Sequence, residues 1–179
     1  IISTEKLSHS FHDHHLFSDL HFGMQSGERI ALVGINGTGK STLLKIMSGL
    51  IQPDQGTVVT ERGIRVGYLT QEPDFSNLHS VEDFIYSPDN KQQQLIKQYE
   101  YLLNNDPLNE AQISKLTDEL TAFNVWEYEY AIKTILNRLQ IHDLKKQISS
   151  LSGGQQKRLA LAKLLIDEPD VYILDEPTN

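Results

Sequence analysis

One short segment limits what this chain can fold into more than any bulk property does. Gly34-Ile35-Asn36-Gly37-Thr38-Gly39-Lys40-Ser41 follows the apolar run Ile30-Ala31-Leu32-Val33 and precedes Ser41 to Ser48, which reads as a helix ending at Gly49. A continuous apolar run of this kind is expected as a strand, Arg29 to Val33, buried on both faces. Glycines between a strand and a helix let backbone N–H groups turn inward around an anion, and the positive end of the helix points at the same place. Lys40 is then placed to reach terminal phosphates, and the Ser41 hydroxyl to ligate Mg²⁺. The expected phosphate-contacting set is Gly34, Asn36, Gly37, Thr38, Gly39, Lys40, Ser41 and Thr42. The bland alternative is a glycine-rich turn with a surface lysine.

A second segment supplies the acids such a loop needs. Val171-Tyr172-Ile173-Leu174 reads as a buried strand that delivers Asp175 and Glu176 at its C-terminal end, the edge where ligands sit in a parallel sheet. Asp175 is expected to hold the Mg²⁺ shell, and Glu176 to orient or deprotonate an attacking water. A third segment, Leu151-Ser152-Gly153-Gly154-Gln155, opens a good helix with two glycines, at a cost of about 1 kcal/mol each relative to alanine. In exchange they leave a bare helix N-terminus beside the Ser152 hydroxyl, a second anion-binding element.

Composition narrows the rest. The net charge of −8 excludes polyanion binding by bulk attraction, so phosphate must be met at a local site. With no cysteine there is no disulfide partner, thiolate metal site or cysteine nucleophile. No apolar run approaches a membrane span, and Ile1-Ile2-Ser3-Thr4-Glu5 has no basic or apolar leader character. A cytoplasmic location is expected. His9, His12, His14 and His15 crowd one stretch and read as a solvated loop rather than a metal site. Lys157, Arg158 and Lys163 read as a basic helix face.

Along the chain, strands are expected over Ile1 to Ser8, Leu20 to Met24, Thr57 to Glu61 and Ile64 to Leu69. Lys91 to Leu103 carries Leu95, Ile96, Tyr99, Leu102 and Leu103 on one helical face. A second helix, capped at Asp106-Pro107, carries Ile113, Leu116, Leu120 and Phe123, and a third spans about Trp126 to Leu139. The order implies an α/β fold with a helical subdomain. We expect a β-rich and phosphate-loop core over 1–75, a helical subdomain over 76–148 with a hairpin at 91–123, and a final segment over 149–179.

Taken together and in this order, the three motifs resemble the nucleotide-binding domain of ATP-binding cassette (ABC) proteins, whose signature is LSGGQ. The resemblance covers nearly the whole chain. It implies a P-loop NTPase cassette with a mixed sheet, an antiparallel β part and a helical subdomain. ATP and Mg²⁺ are the implied cofactors. Gln71, in Tyr68-Leu69-Thr70-Gln71-Glu72-Pro73, is implied as the glutamine contacting Mg²⁺ and the hydrolytic water. An aromatic residue upstream is implied to stack on adenine; Phe11 is the best placed, and could equally be core. Ser152, Gly153, Gly154 and Gln155 are implied to act on the ATP of a second, head-to-tail cassette.

The Gly27–Gly34 and Val66–Pro73 stretches, the ending Asp175-Glu176-Pro177-Thr178-Asn179 and the long interval between Gln71 and Leu151 are similar to the ABC-F class. That class carries two cassettes on one chain, and the segment around Trp126 looks like its Uup-type branch. The resemblance implies a ribosome or RNA partner and makes the 91–123 hairpin an arm. The subunit of a membrane transporter is the alternative. The hairpin's charge fits RNA poorly: between Pro88 and Val125, Lys91, Lys97 and Lys115 face Asp89, Glu100, Asp106, Glu110, Asp118 and Glu119. The chain stops hard against the acidic motif, so it is expected to be a cassette truncated at its C-terminus. It should bind ATP–Mg²⁺ and hardly hydrolyse it alone.

Overall fold

The computed structural model describes residues 1–11, 14–76, 78–86 and 90–177. Two compact units emerge: residues 1–71 with 168–179, and residues 72–167.

In the first unit β1 (Ile2–Phe11) pairs antiparallel with β2 (His14–Met24) on one edge and β3 (Gln55–Thr60) on the other. Ile2 and Leu7 are buried, and the buried Thr4 hydroxyl donates to Leu20 O. The β1–β3 register breaks between Glu5 and Ser8. There Gly56, at φ +82°, lies so close that a Cβ would stand 2.4 Å from the carbonyl oxygens of Glu5 and Lys6. Only glycine permits that approach.

A separate pair, β4 (Val66–Leu69) and β5 (Val171–Leu174), runs parallel with Val66 opposite Val171 and Leu69 opposite Leu174. The Arg65 N–H donates to the Asp170 carboxylate at 2.8 Å and fixes the start of that register. The two strands expected around residues 57–69 therefore belong to different sheets.

The strand expected over Arg29 to Val33 is a correction. The segment is in no sheet, Ile30 and Leu32 are exposed, and Val33 is 89% exposed. Its apolar character suits burial between neighbouring strands, but among the described residues none pairs with it. The histidines also differ from the expected loop: His9 lies in β1, and His14 and His15 lie in β2. His12 lies outside the described residues.

The second unit is helical. α2 (Val81–Ile85) opens with a reciprocal Ser80–Asp83 cap. Val81 and Ile85 pack with Ile132 and Leu136 of α5 (Val125–Arg138), and with Leu159, Ala162 and Ile166 of α6 (Gly153–Ile166). The hairpin, α3 (Lys91–Asn105) and α4 (Glu110–Ala122), packs on the start of α5 around a second small core of Leu95, Ile96, Leu120 and Val125. Asp106 does not cap α4 as expected. It ends α3 by donating its N–H to Leu102 O, and its carboxylate accepts the Asn109 side-chain amide, while Asn109 Oδ1 accepts the Gln112 N–H and caps α4.

Candidate functional site

α1 (Lys40–Met47) begins where the glycine-rich loop ends. Gly37 and Gly39 hold positive φ, and Gly39 caps the helix without a side-chain hydrogen bond. The first amides of α1 are thus not claimed by any capping side chain, which is the condition for an anion to take them. Lys40 folds back over the loop, and its Nζ donates to Gly34 O and Ile35 O at 2.8 Å each. Thr38 Oγ1 donates to Ile35 O. The ammonium is therefore already held at the mouth of the loop by carbonyls that a phosphate oxygen can replace. Asn36 is exposed on the same loop, and Thr42 lies in the first turn of α1.

The β4–β5 register positions the acids. Leu69 and Leu174 are opposite, and Asp175 N–H continues the ladder by donating to Leu69 O at 3.0 Å. Two residues beyond each paired leucine stand Gln71 and Glu176, and Gln71 Nε2 donates to Glu176 Oε2 at 2.7 Å. Glu176 sits at φ +49°, a left-handed conformation that a non-glycine residue adopts at some energetic cost.

Asp175 is only 5% exposed, and each of its oxygens has a partner. Oδ1 accepts Ser41 Oγ at 3.0 Å, from 134 residues away. Oδ2 accepts Tyr68 OH, also at 3.0 Å. Burial foremost, then the hydrogen bond and charge of Asp175, push the Tyr68 phenol well above its ordinary pKa. Tyr68 remains a neutral donor aimed at the carboxylate.

The donor set fits Mg²⁺ bound together with phosphates. A hydroxyl and a buried carboxylate meet at one point, with an amide and a second carboxylate next along the same strand pair. Among the described residues no cluster of three or more His, Asp or Glu side chains could enclose a metal alone. Mg²⁺ suits such a site because it takes one or two carboxylate ligands and completes its octahedron with phosphate oxygens and water.

Of the residues singled out in the sequence, the structure brings Ser41 to Asp175 and Gln71 to Glu176. Phe11 lies at the end of β1 and is 61% exposed. The side chain adjoining the phosphate loop is Leu16 of β2, whose Cβ would stand 3.0 Å from a Cβ at Gly39. Ser152 and Gln155 lie in the second unit and cap α6 reciprocally: Ser152 Oγ accepts the Gln155 N–H and Gln155 Oε1 accepts the Ser152 N–H. Gly153 and Gly154 are exposed, with open space where a Cβ would be. Tyr68 gains a role here that its sequence motif alone does not assign. Its signal was available in its place on β4, three residues before Gln71.

The ABC transporter family matches residues 17–179. The ABC transporter ATP-binding protein YfmR of Bacillus subtilis (strain 168) is 38% identical over 185 residues, covering 100% of this chain and 29% of YfmR. The ATP-binding protein Uup of Escherichia coli (strain K12) is 37% identical over 177 residues, covering 95% of this chain and 27% of Uup. The energy-dependent translational throttle protein EttA of the same strain is 32% identical over 174 residues, covering 92% and 31%. The chain thus spans less than a third of these relatives' length.

Among solved structures, the ATP-binding subunit of an ABC transporter superposes with TM-score 0.69 at 22% identity, covering 99% of this chain and 67% of that one. A dimeric ATP-binding cassette bound to ADP and Pi superposes with TM-score 0.65 at 18% identity, covering 99% and 75%. These two carry the fold alone. Among the described residues no helix is long and apolar enough to cross a membrane. With a phosphate loop, an acidic strand end and a signature helix on one P-loop fold, the chain belongs to the ABC family as an ATP-binding cassette.

Proposed function

We propose that this chain binds ATP–Mg²⁺ and that, in a protein with a second cassette, it hydrolyses ATP to drive open–close cycling of an ABC-F-type ATPase on ribosomes or another nucleic-acid assembly. The observation that carries the reading is the meeting of Ser41 with buried Asp175 beside the uncapped start of α1. In the proposed roles, Lys40 and the loop amides hold the phosphates, while Ser41, Asp175 and Gln71 hold the metal. Glu176 polarises the water, oriented by its contact with Gln71. Phe11 is the proposed adenine-stacking residue. Ser152, Gly153, Gly154 and Gln155 are proposed to complete the site of the second cassette, where exposed glycines leave the helix end accessible.

Similarity to Uup and EttA supports the ABC-F assignment, and the α3–α4 hairpin, seated on the start of α5 by a core separate from that of α2 and α6, supports an arm. The hairpin's acidic balance points its contacts toward protein or toward a few local RNA sites. The transporter-subunit reading is favoured by the family description.

Two measurements test the proposal. Lys40→Ala should weaken ATP–Mg²⁺ binding by calorimetry about tenfold or more, since it removes a charge-assisted phosphate contact; unchanged affinity would refute the nucleotide site. In the whole protein, Glu176→Gln should trap the ATP state and enrich the protein with ribosomes on co-sedimentation. No enrichment, together with co-purification of a membrane permease, would favour the transporter reading instead.

A further inference from the structure

The second unit contains a cavity of about 200 Å³ between the loop that follows α5 and the first turns of α6. Val81, Ile141 and Leu159 make its apolar wall, and Arg158, Lys146 and His142 bring three basic groups to it. The guanidinium of Arg158 is the telling feature. Its Nε is shut away from solvent and has no hydrogen-bond partner among the described residues. Buried N–H groups are almost always paired, and a charged one left unpaired is costly enough to mark a missing acceptor.

The other polar groups at the cavity do not supply that acceptor. The Asp143 carboxylate accepts the Lys145 backbone N–H, and the Gln155 carbonyl oxygen accepts the Ser152 N–H. The expected basic face is thereby divided: Lys163 pairs with Asp167 at 2.7 Å, whereas Arg158 turns inward. Three basic side chains against one acid whose carboxylate is engaged by a backbone N–H give the cavity a positive character. The N-terminal turn of α6 adds to it.

We propose that this cavity is a binding site for a small oxyanion, a carboxylate or phosphate, held by the Arg158 guanidinium with Lys146 and His142 beside it. It is assigned no part in holding ATP, and it does not depend on the ATPase reading. A guanidinium presents N–H donors in a planar fork that matches two oxygens of either anion. The apolar wall favours an anion carrying a small apolar body.

The test uses the arginine Nε–H signals of the 179-residue chain in two-dimensional NMR, in a Lys40→Ala background that silences the phosphate loop. The chain has five arginines, and the shielded Arg158 Nε–H should exchange with water most slowly; Arg158→Lys should delete that signal. Benzoate and inorganic phosphate are titrated separately, with benzyl alcohol as the uncharged control. A saturable shift of the Arg158 signal, with Kd on the order of 1 mM, supports the site. Benzoate acting alone identifies a carboxylate with an apolar body as the ligand, and phosphate acting equally well identifies a site that reads charge. Lys146→Gln, a partly exposed position that should fold normally, should weaken binding up to about fivefold. No saturable shift with either anion, an equal shift with benzyl alcohol, or full affinity in Lys146→Gln would overturn the proposal.

Discussion

Tyr68→Phe removes one oxygen atom and tests how the acidic centre is held. The phenol donates to Asp175 Oδ2 at 3.0 Å, and Ser41 Oγ donates to the other carboxylate oxygen. A hydrogen bond to a charged group is worth about 1.5–3 kcal/mol. Tyr68 is half-buried, so the lower part of that range, about 1.5–2 kcal/mol, applies. The single tryptophan, Trp126, lies on α5 in the second unit, so its fluorescence reports the wrong part of the molecule. Hydrogen exchange at the β4 and β5 amides and at Asp175 N–H reports the right one.

At 1.4 kcal/mol per tenfold, Tyr68→Phe should speed exchange at those amides about 10- to 30-fold, while the Trp126 unfolding signal stays in place. In an Asp175→Ala background the same substitution should have little further effect, because the acceptor is already gone. A coupling below about 0.5 kcal/mol in this cycle would refute the claim that Tyr68 acts through Asp175.

Gly56→Ala should destabilise the β1–β3 pair by roughly 3 kcal/mol or more, since it adds strain at positive φ and drives a Cβ to 2.4 Å from two carbonyl oxygens. Exchange at the Ser3–Glu5 amides reads this, and a loss under about 1 kcal/mol would show that the approach is not tight. Tyr86 should titrate late: burial first, then the charges of Glu100, Glu129 and Glu82, push its phenol up to about 12. These outweigh the Lys97 ammonium 5.5 Å from the ring. Because the folded state holds the proton more tightly than the unfolded chain, the associated stability is intact below pH 10, the ordinary tyrosine value, and is lost as pH rises from there through 12. Absorbance at the phenolate band, compared with Tyr86→Phe, should assign the late step to this residue.

Much of this molecule could be read from short windows of sequence. The phosphate loop, the acidic strand end and the helical stripes of α3, α4 and α5 are local patterns, and each came out close to its expected place. Where local pattern erred, a longer-range fact had decided. Ile30 to Val33 has the composition of a buried strand, but a strand exists only where another pairs with it. Asp106 and Asn109 are both good capping residues, but Asp106 closes α3, and Asn109 is the one whose Oδ1 accepts the Gln112 N–H and caps α4.

The sequence by itself determined which chemical groups the candidate site has to offer, because glycine spacing, a lysine, a hydroxyl and two carboxylates have those properties wherever they lie. Only the tertiary structure decided which of them meet. Ser41 reaches Asp175, Gln71 reaches Glu176, Tyr68 closes the second carboxylate oxygen, and Arg158 is left facing a cavity. The first three contacts join groups more than a hundred residues apart, and those of Gln71 and Tyr68 are made through the parallel register of β4 on β5. No local preference encodes that register; it arises when Val66 to Leu69 is laid against Val171 to Leu174 and their backbone groups are paired.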